Sequence, residues 1–295
     1  MKSQEAGRGA AIDRAYDRPM RARDLRRAGV LSLLAFLAVL TPASIAPAAE
    51  DAEALAADLE ELRTCVRQNF PKQSSIQEVK LRVEDRGGST RDLDVKIWWN
   101  RLKAKRSRAL IRVLAPEDVR GSSVLMIERD GGSDLFLYSP EMRKTRRITT
   151  HTLAGSLFGS DFTYEDFQNL QGLAMDGAAK RLPASIVDGR EVDGFEQRPA
   201  PGSGSQYERV VTYVTREGCI PFKSEMFESG GALRKVMTAS VDELIEEAGV
   251  KIPRRIRMED KLGGTSTVLE IGSAQMNVKI KRRVFDLTSL ERASD

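Results

Sequence analysis

Histidine and cysteine are almost absent: His151 is the one histidine and Cys65 and Cys219 are the two cysteines in 295 residues. A zinc or iron site of the usual kind has no ligand set here, and neither metal nor other cofactor is expected. A G-x-S-x-G elbow, a P-loop and a complete dinucleotide fingerprint are also missing, since Gly202-x-Gly204 lacks the third glycine and the strand-to-helix setting. Carboxylate pairs do not fill the gap. Glu165-Asp166 and Glu246-Glu247 are adjacent on expected helical turns, point apart and read as solvated faces, and His151 reads as a loop histidine in solvent. These absences argue against an enzyme.

A long apolar run is missing too. The longest, Ala28 to Leu40, has 13 residues, whereas a membrane-spanning helix needs about 20. Four arginines (Arg21, Arg23, Arg26, Arg27) precede it and Ala46-Pro47-Ala48-Ala49 follows it, so residues 1–49 read as a cleaved export signal. Translation from Met20 would give a leader of more ordinary length. The residues after Arg26-Arg27 favour general secretion over the twin-arginine route. With no cysteine at the cleavage point, no lipid anchor is expected, and residues 50–295 should form one periplasmic domain. The leader holds eight of the 47 Lys and Arg and four of the 43 Asp and Glu, leaving 39 of each. That balance removes the electrostatic case for nucleic acid. In an oxidising compartment Cys65 and Cys219 read as a disulfide, with two buried free thiols as the alternative.

What is present is mostly strand. Residues 50–69 follow helical spacing, with Ala54, Leu55, Leu59, Leu62 and Val66 on one side and Pro71 as the stop. From Ser75 the period becomes two. Val79, Leu81 and Val83 alternate with charges, Gly87-Gly88 turns the chain, and Leu93, Val95, Ile97 and Trp99 alternate on the return. Similar runs recur to Ile271, about ten to twelve strands in all, with too few helices for a parallel sheet. The expected fold is mainly β with few helices, an antiparallel meander that curls on itself. Val124 to Ile127 and Leu135 to Tyr138 are apolar on both faces, which implies either a doubly covered strand or a lined cavity. Trp98-Trp99 puts one indole on each face.

The most distinctive stretch follows the basic run Arg143, Lys144, Arg146 and Arg147, which suits anionic head groups, an acidic partner or an edge strand guarded by charge. Gly155 and Gly159 bracket the exposed-looking pair Leu157 and Phe158. Asp161 or Thr163 can then cap a short helix, with Thr163 and Asp166 at capping-box spacing. The segment reads as a mobile apolar loop able to cover something hydrophobic.

Leu135 to Ile148, followed by Gly155 to Asp166, resembles the outer membrane lipoprotein-sorting protein family, relatives of the periplasmic carrier LolA. Weaker echoes are Leu110 to Val113, Pro221 to Phe227 and Val284 to Arg292. The resemblance implies a LolA/LolB-like incomplete antiparallel β-barrel with helices covering its concave face. It implies a carrier for lipid or lipoprotein acyl chains, touching membranes only transiently, or an accessory subunit of an RND/MMPL-type inner-membrane exporter. The cavity and loop residues expected to meet cargo are Trp99, Met126, Phe136, Tyr138, Leu157, Phe158, Phe162, Tyr164 and Phe167. The basic run would contact head groups or a partner.

Overall fold

The exchange of helical for alternating periodicity near residue 74 divides the structure as it divides the sequence. The computed structural model describes residues 46–103, 106–129, 132–148, 153–170 and 178–291, so most of the expected leader and His151 lie outside the described residues. Helix α1 spans Ala46–Arg67. Its Leu59, Leu62 and Val66, at helical three-and-four spacing, are buried against Phe195 and Val214.

Six strands follow: β1 (Ser74–Glu84), β2 (Thr90–Lys103), β3 (Arg106–Ala115), β4 (Ser123–Arg129), β5 (Gly132–Ser139) and β6 (Lys144–Ile148). After the short helix α2 (Tyr164–Leu170) come β7 (Ala178–Val187), β8 (Arg190–Arg198), β9 (Arg209–Thr215), β10 (Pro221–Phe227) and β11 (Leu233–Ala239). A hairpin, β12 (Leu244–Glu247) and β13 (Val250–Pro253), precedes β14 (Arg255–Asp260), β15 (Thr265–Met276) and a closing turn of helix α3 (Leu287–Leu290). Thirteen strands form one sheet in the order β6-β5-β4-β3-β2-β1-β15-β14-β11-β10-β9-β8-β7, and β12 and β13 pair separately. Every described pairing is antiparallel, including that of β1 with β15, where Leu81 faces Leu269 across 188 residues of chain.

Alternation fixes which face each strand buries. Val79, Leu81, Leu93, Val95, Ile97 and Trp99 share one cluster with Met226, Met237, Met258, Leu269 and Ile271 from the other half of the sheet. On the opposite face of β1 and β2, register sets Glu78 against Lys96, Lys80 against Asp94 and Arg82 against Asp92. Their charged groups approach to 2.9, 3.9 and 2.9 Å. Exposed pairs of this kind add little stability, but a slip of one residue would turn the apolar row to solvent and break all three.

Trp98 and Trp99 divide between the faces as expected: Trp99 joins the main cluster, and Trp98 packs with Leu110, Leu125, Phe285 and Leu290. The second set exists because the chain after β15 returns over the outer face of β2 to β5. Buried Arg112 holds it there, donating from Nε to Ser123 Oγ at 3.0 Å and from Nη2 to the Ser289 carbonyl. Of the two readings of Val124 to Ile127, the structure takes the doubly covered strand.

Three strands were not expected. β7 carries Pro183 at a register shift between Leu182 and Ser185, which an edge strand tolerates because one row of its amides has no ladder partner. β12 and β13 are only four residues each, joined through Ala248 and Gly249 at φ 51° and 75°. Two consecutive positive φ values suit a tight hairpin. Glu246-Glu247 therefore sits on a strand, not a helical turn, although both residues are exposed as expected.

Cys65 on α1 and Cys219 form a disulfide, their Cα atoms 5.7 Å apart and 154 residues apart in sequence. Asn69 Nδ2 reinforces it by donating to the carbonyls of Gly218 at 2.6 Å and Cys219 at 3.1 Å. Cys65→Ser should cost about 2–5 kcal/mol in thermal or denaturant melts. A loss below about 1 kcal/mol would show that α1 docks without the bridge.

Candidate functional site

Since β6 and β7 occupy opposite edges of the sheet, the chain between them has to cross a face. It crosses on the main-core side: Leu157, Phe162, Tyr164 and Phe167 all belong to the same cluster as the inward rows of β1 to β4. The first half of the crossing is a tight turn. Ser160 N–H donates to the Leu157 carbonyl at 3.1 Å, and Phe158 and Gly159 take φ of 54° and 77°. Positive φ at both central positions is the mark of a type I′ turn, tolerated by glycine and costly for phenylalanine. Leu157, expected to be exposed, is 3% exposed, and Phe158 is half-buried against the cluster.

The crossing is pinned by polar groups that belong to different strands. Thr163 and Asp166 form the expected capping box, with Thr163 N–H to Asp166 Oδ2 at 2.8 Å and Asp166 N–H to Thr163 Oγ1 at 3.1 Å. Asp166 also accepts from Tyr207 Oη at 2.7 Å and from Lys235 Nζ at 3.0 Å, while Lys235 donates to the Asp161 carbonyl at 2.6 Å. The Asp161 side chain accepts from Thr265 and Thr267 of β15. Glu165 accepts from Ser205 Oγ and, at 3.1 Å, from Gln206 N–H.

The solvated reading of Glu165-Asp166 is therefore corrected: the two residues are 8% and 2% exposed, because their helix is part of the crossing and their carboxyls are held by Ser205, Gln206, Tyr207 and Lys235. Burial raises the Glu165 pKa above the ordinary carboxylate value, against the opposing pull of Ser205 and Gln206. Burial next to Asp166 likewise raises the Tyr207 phenol, which stays a neutral donor.

Beside this network lies a cavity of about 350 Å³. Its walls are the inward rows of β8 to β11, β14 and β15, with Val210, Thr212, Met226, Met237, Ile256, Leu269 and Ile271. Phe167 and Leu170 of α2, Asn69 to Pro71 after α1, and Ile252 on β13 close it. Of the nine residues expected to meet cargo, Phe167 lines it. Trp99, Met126, Leu157, Phe162 and Tyr164 are buried in the main core, where the Trp99 indole N–H has no hydrogen-bond partner among the described residues. Phe136 and Tyr138 lie on the other face beneath the C-terminal segment. The basic run is exposed on and before edge strand β6, with Arg147 paired to Asp134. The strand residues that do line the cavity carry no mark separating lining from core. Lys235, a cation within an inward apolar row, was the one visible irregularity.

Lys235 and Asp166, with side chains 4% and 1% exposed, form the pair on which the crossing depends. Removing one partner of such a pair strands the other charge, so Lys235→Met should cost about 3–5 kcal/mol. A double-mutant cycle with Asp166→Asn should return a coupling of about 1–3 kcal/mol, and additive losses would dissolve the pair as a unit. Folded Glu165 keeps its proton to higher pH than unfolded Glu165, so its favourable contribution is present below the ordinary value and lost as pH rises through the raised one. Melts of wild type and Glu165→Gln should show the variant gaining relative stability toward alkaline pH. A pH-independent difference would refute that assignment.

The fold has known counterparts. A DUF1329 family protein from Desulfovibrio piger is 22% identical with a TM-score of 0.74, covering 80% of this chain and 98% of that one. A Vibrio parahaemolyticus domain named for outer membrane lipoprotein sorting is 20% identical with a TM-score of 0.70, over 82% of this chain and 100% of its own. The LolA superfamily protein NE2245 from Nitrosomonas europaea is 19% identical with a TM-score of 0.61, over 78% and 98%. No curated protein matches by sequence. A family model described as that of an uncharacterized protein matches residues 105–292. That match spans more than half of the chain, so the chain belongs to this family and has the LolA-like fold of the lipoprotein-sorting proteins.

Proposed function

We propose that the protein is a non-enzymatic periplasmic carrier that shelters an acyl chain of a lipoprotein or another lipid for transfer toward the outer membrane. The observation that carries this reading is the apolar cavity of about 350 Å³ on the inward face of the sheet. In this reading that face is the concave side of an incomplete barrel, and α2 with the end of α1 covers it. A cavity whose exposed lining is mostly apolar, with polar side chains interspersed, suits a flexible hydrocarbon with a polar end better than a wholly polar metabolite. The disulfide agrees with an oxidising compartment, and among the described residues no helix is long and apolar enough to cross a membrane. The carrier would be free of the membrane, its leader removed.

Displacement of a fluorescent fatty acyl probe tests the reading. Wild-type protein should bind it, and Ala239→Trp, which fills one end of the cavity from a half-buried position, should weaken binding at least tenfold with an unchanged melting curve. Protein that binds no acyl probe, or a filled cavity that binds as well as the open one, would end the carrier reading. An exporter subunit without cargo would give the first of these results.

A further inference from the structure

The cavity has two chemically different ends, and strand order locates them. At one end Glu165 is held by Ser205 and Gln206, in the connection from β8 to β9. At the other end Asn69 to Pro71 meet the β9–β10 turn, and hairpin β12–β13 brings Lys251 to the lining. β9 spans seven residues between these ends, a separation of roughly 20 Å. Apolar side chains such as Val210, Met226, Met237 and Leu269 dominate the interval, with Thr212 and Ser224 hydrogen-bonded to each other at 3.2 Å among them.

Three charged residues line this cavity among the described ones: Glu165, Asp166 and Lys251. Lys251 is exposed and lies 3.8 Å from Glu246. At the inner end both charges are carboxylates. The one cation there, Lys235, is engaged by Asp166 and by the Asp161 carbonyl, and no cation lies within ion-pair distance of Glu165 among the described residues. Glu165 is buried, lines the cavity beside Ser205, and its carboxyl oxygens accept from two neutral donors, the Ser205 hydroxyl and the Gln206 amide.

Resting on the carrier reading, we propose that Glu165 is the residue that selects the cargo's polar end, favouring a chain that ends in an amine or an uncharged hydrogen-bond donor over one that ends in an anion. An ammonium at this end supplies the counter-charge that the two neutral donors Ser205 and Gln206 do not, and a hydroxyl supplies a further donor. A fatty-acid carboxylate or a phosphate at the same place adds a negative group to a buried site that already holds two acids and whose cation is engaged. Burial, with the neighbouring Asp166 adding to it, raises the Glu165 pKa against the pull of Ser205, Gln206 and Lys235, which agrees with a site that disfavours further negative charge.

Three probes with the same twelve-carbon chain separate the outcomes: dodecylamine, dodecanol and laurate, each competed against the fluorescent probe below its micellar concentration. Wild-type protein should hold the amine and the alcohol about tenfold or more tighter than laurate. In Glu165→Gln the amine-to-laurate ratio should fall at least tenfold. Laurate binding as tightly as the amine to wild type, or a ratio unchanged in Glu165→Gln, would overturn the proposal. If the variant does not fold, the order of the three affinities in wild type supports or overturns the proposal by itself. Binding of none of the three overturns the carrier reading together with this inference, whereas binding in reversed order overturns only the inference.

Discussion

One sheet with its sixth and seventh strands at opposite edges has to be spanned by the chain that joins them, and nearly everything distinctive here follows from that constraint. Backbone that crosses a buried face brings amide and carbonyl groups that need partners away from water. The crossing meets this need by folding back on itself at Leu157 to Phe162, by capping its own helix through Thr163 and Asp166, and by borrowing side chains from β11 and β15. Its apolar residues then complete the core of the first half of the sheet, where Leu157 and Phe162 sit with Val95 and Met126.

The two halves of the inward face differ as a result. Along β1 to β4 the crossing segment fills the layer. Along β8 to β11, α2 and the end of α1 leave space between them, and that space is the cavity. The polar network stands at the border: Lys235 and Asp166 hold the helix that bounds the cavity, and Glu165 on the same helix faces it. The residue that anchors the helix and the carboxyl that lines the cavity are thus adjacent on one short helix.

Strand periodicity, the amphipathic helix and the capping box were legible because each depends on spacing within a short window. Val79 to Trp99 alternates whatever its neighbours are, and Thr163 and Asp166 lie three residues apart in any context. The burial of Glu165 and Asp166 was not legible, since it depends on partners 40 to 69 residues away, Ser205, Tyr207 and Lys235. The same holds for Phe136 and Tyr138, whose apolar character comes from a C-terminal segment lying on the outer face. Of the residues that the resemblance put in contact with cargo, Phe167 lines the cavity. Its strand walls include Val210, Met226, Met237, Ile256, Leu269 and Ile271 in ordinary alternation, which looks the same in sequence whether it faces another side chain or a void.

The pairing of β1 with β15 sets the order in which this molecule can be assembled. The middle of the sheet is a ladder between the first described strand and the last, with Ser75 opposite Met276 across 201 residues of chain. A chain emerging in sequence order can form the local meanders on either side but not the seam that joins them. Until its last strand arrives, each half has an open edge where that seam will be and no shared core. The native state is therefore a property of the whole chain, and any machinery that handles it earlier meets two half-sheets rather than one closed ladder.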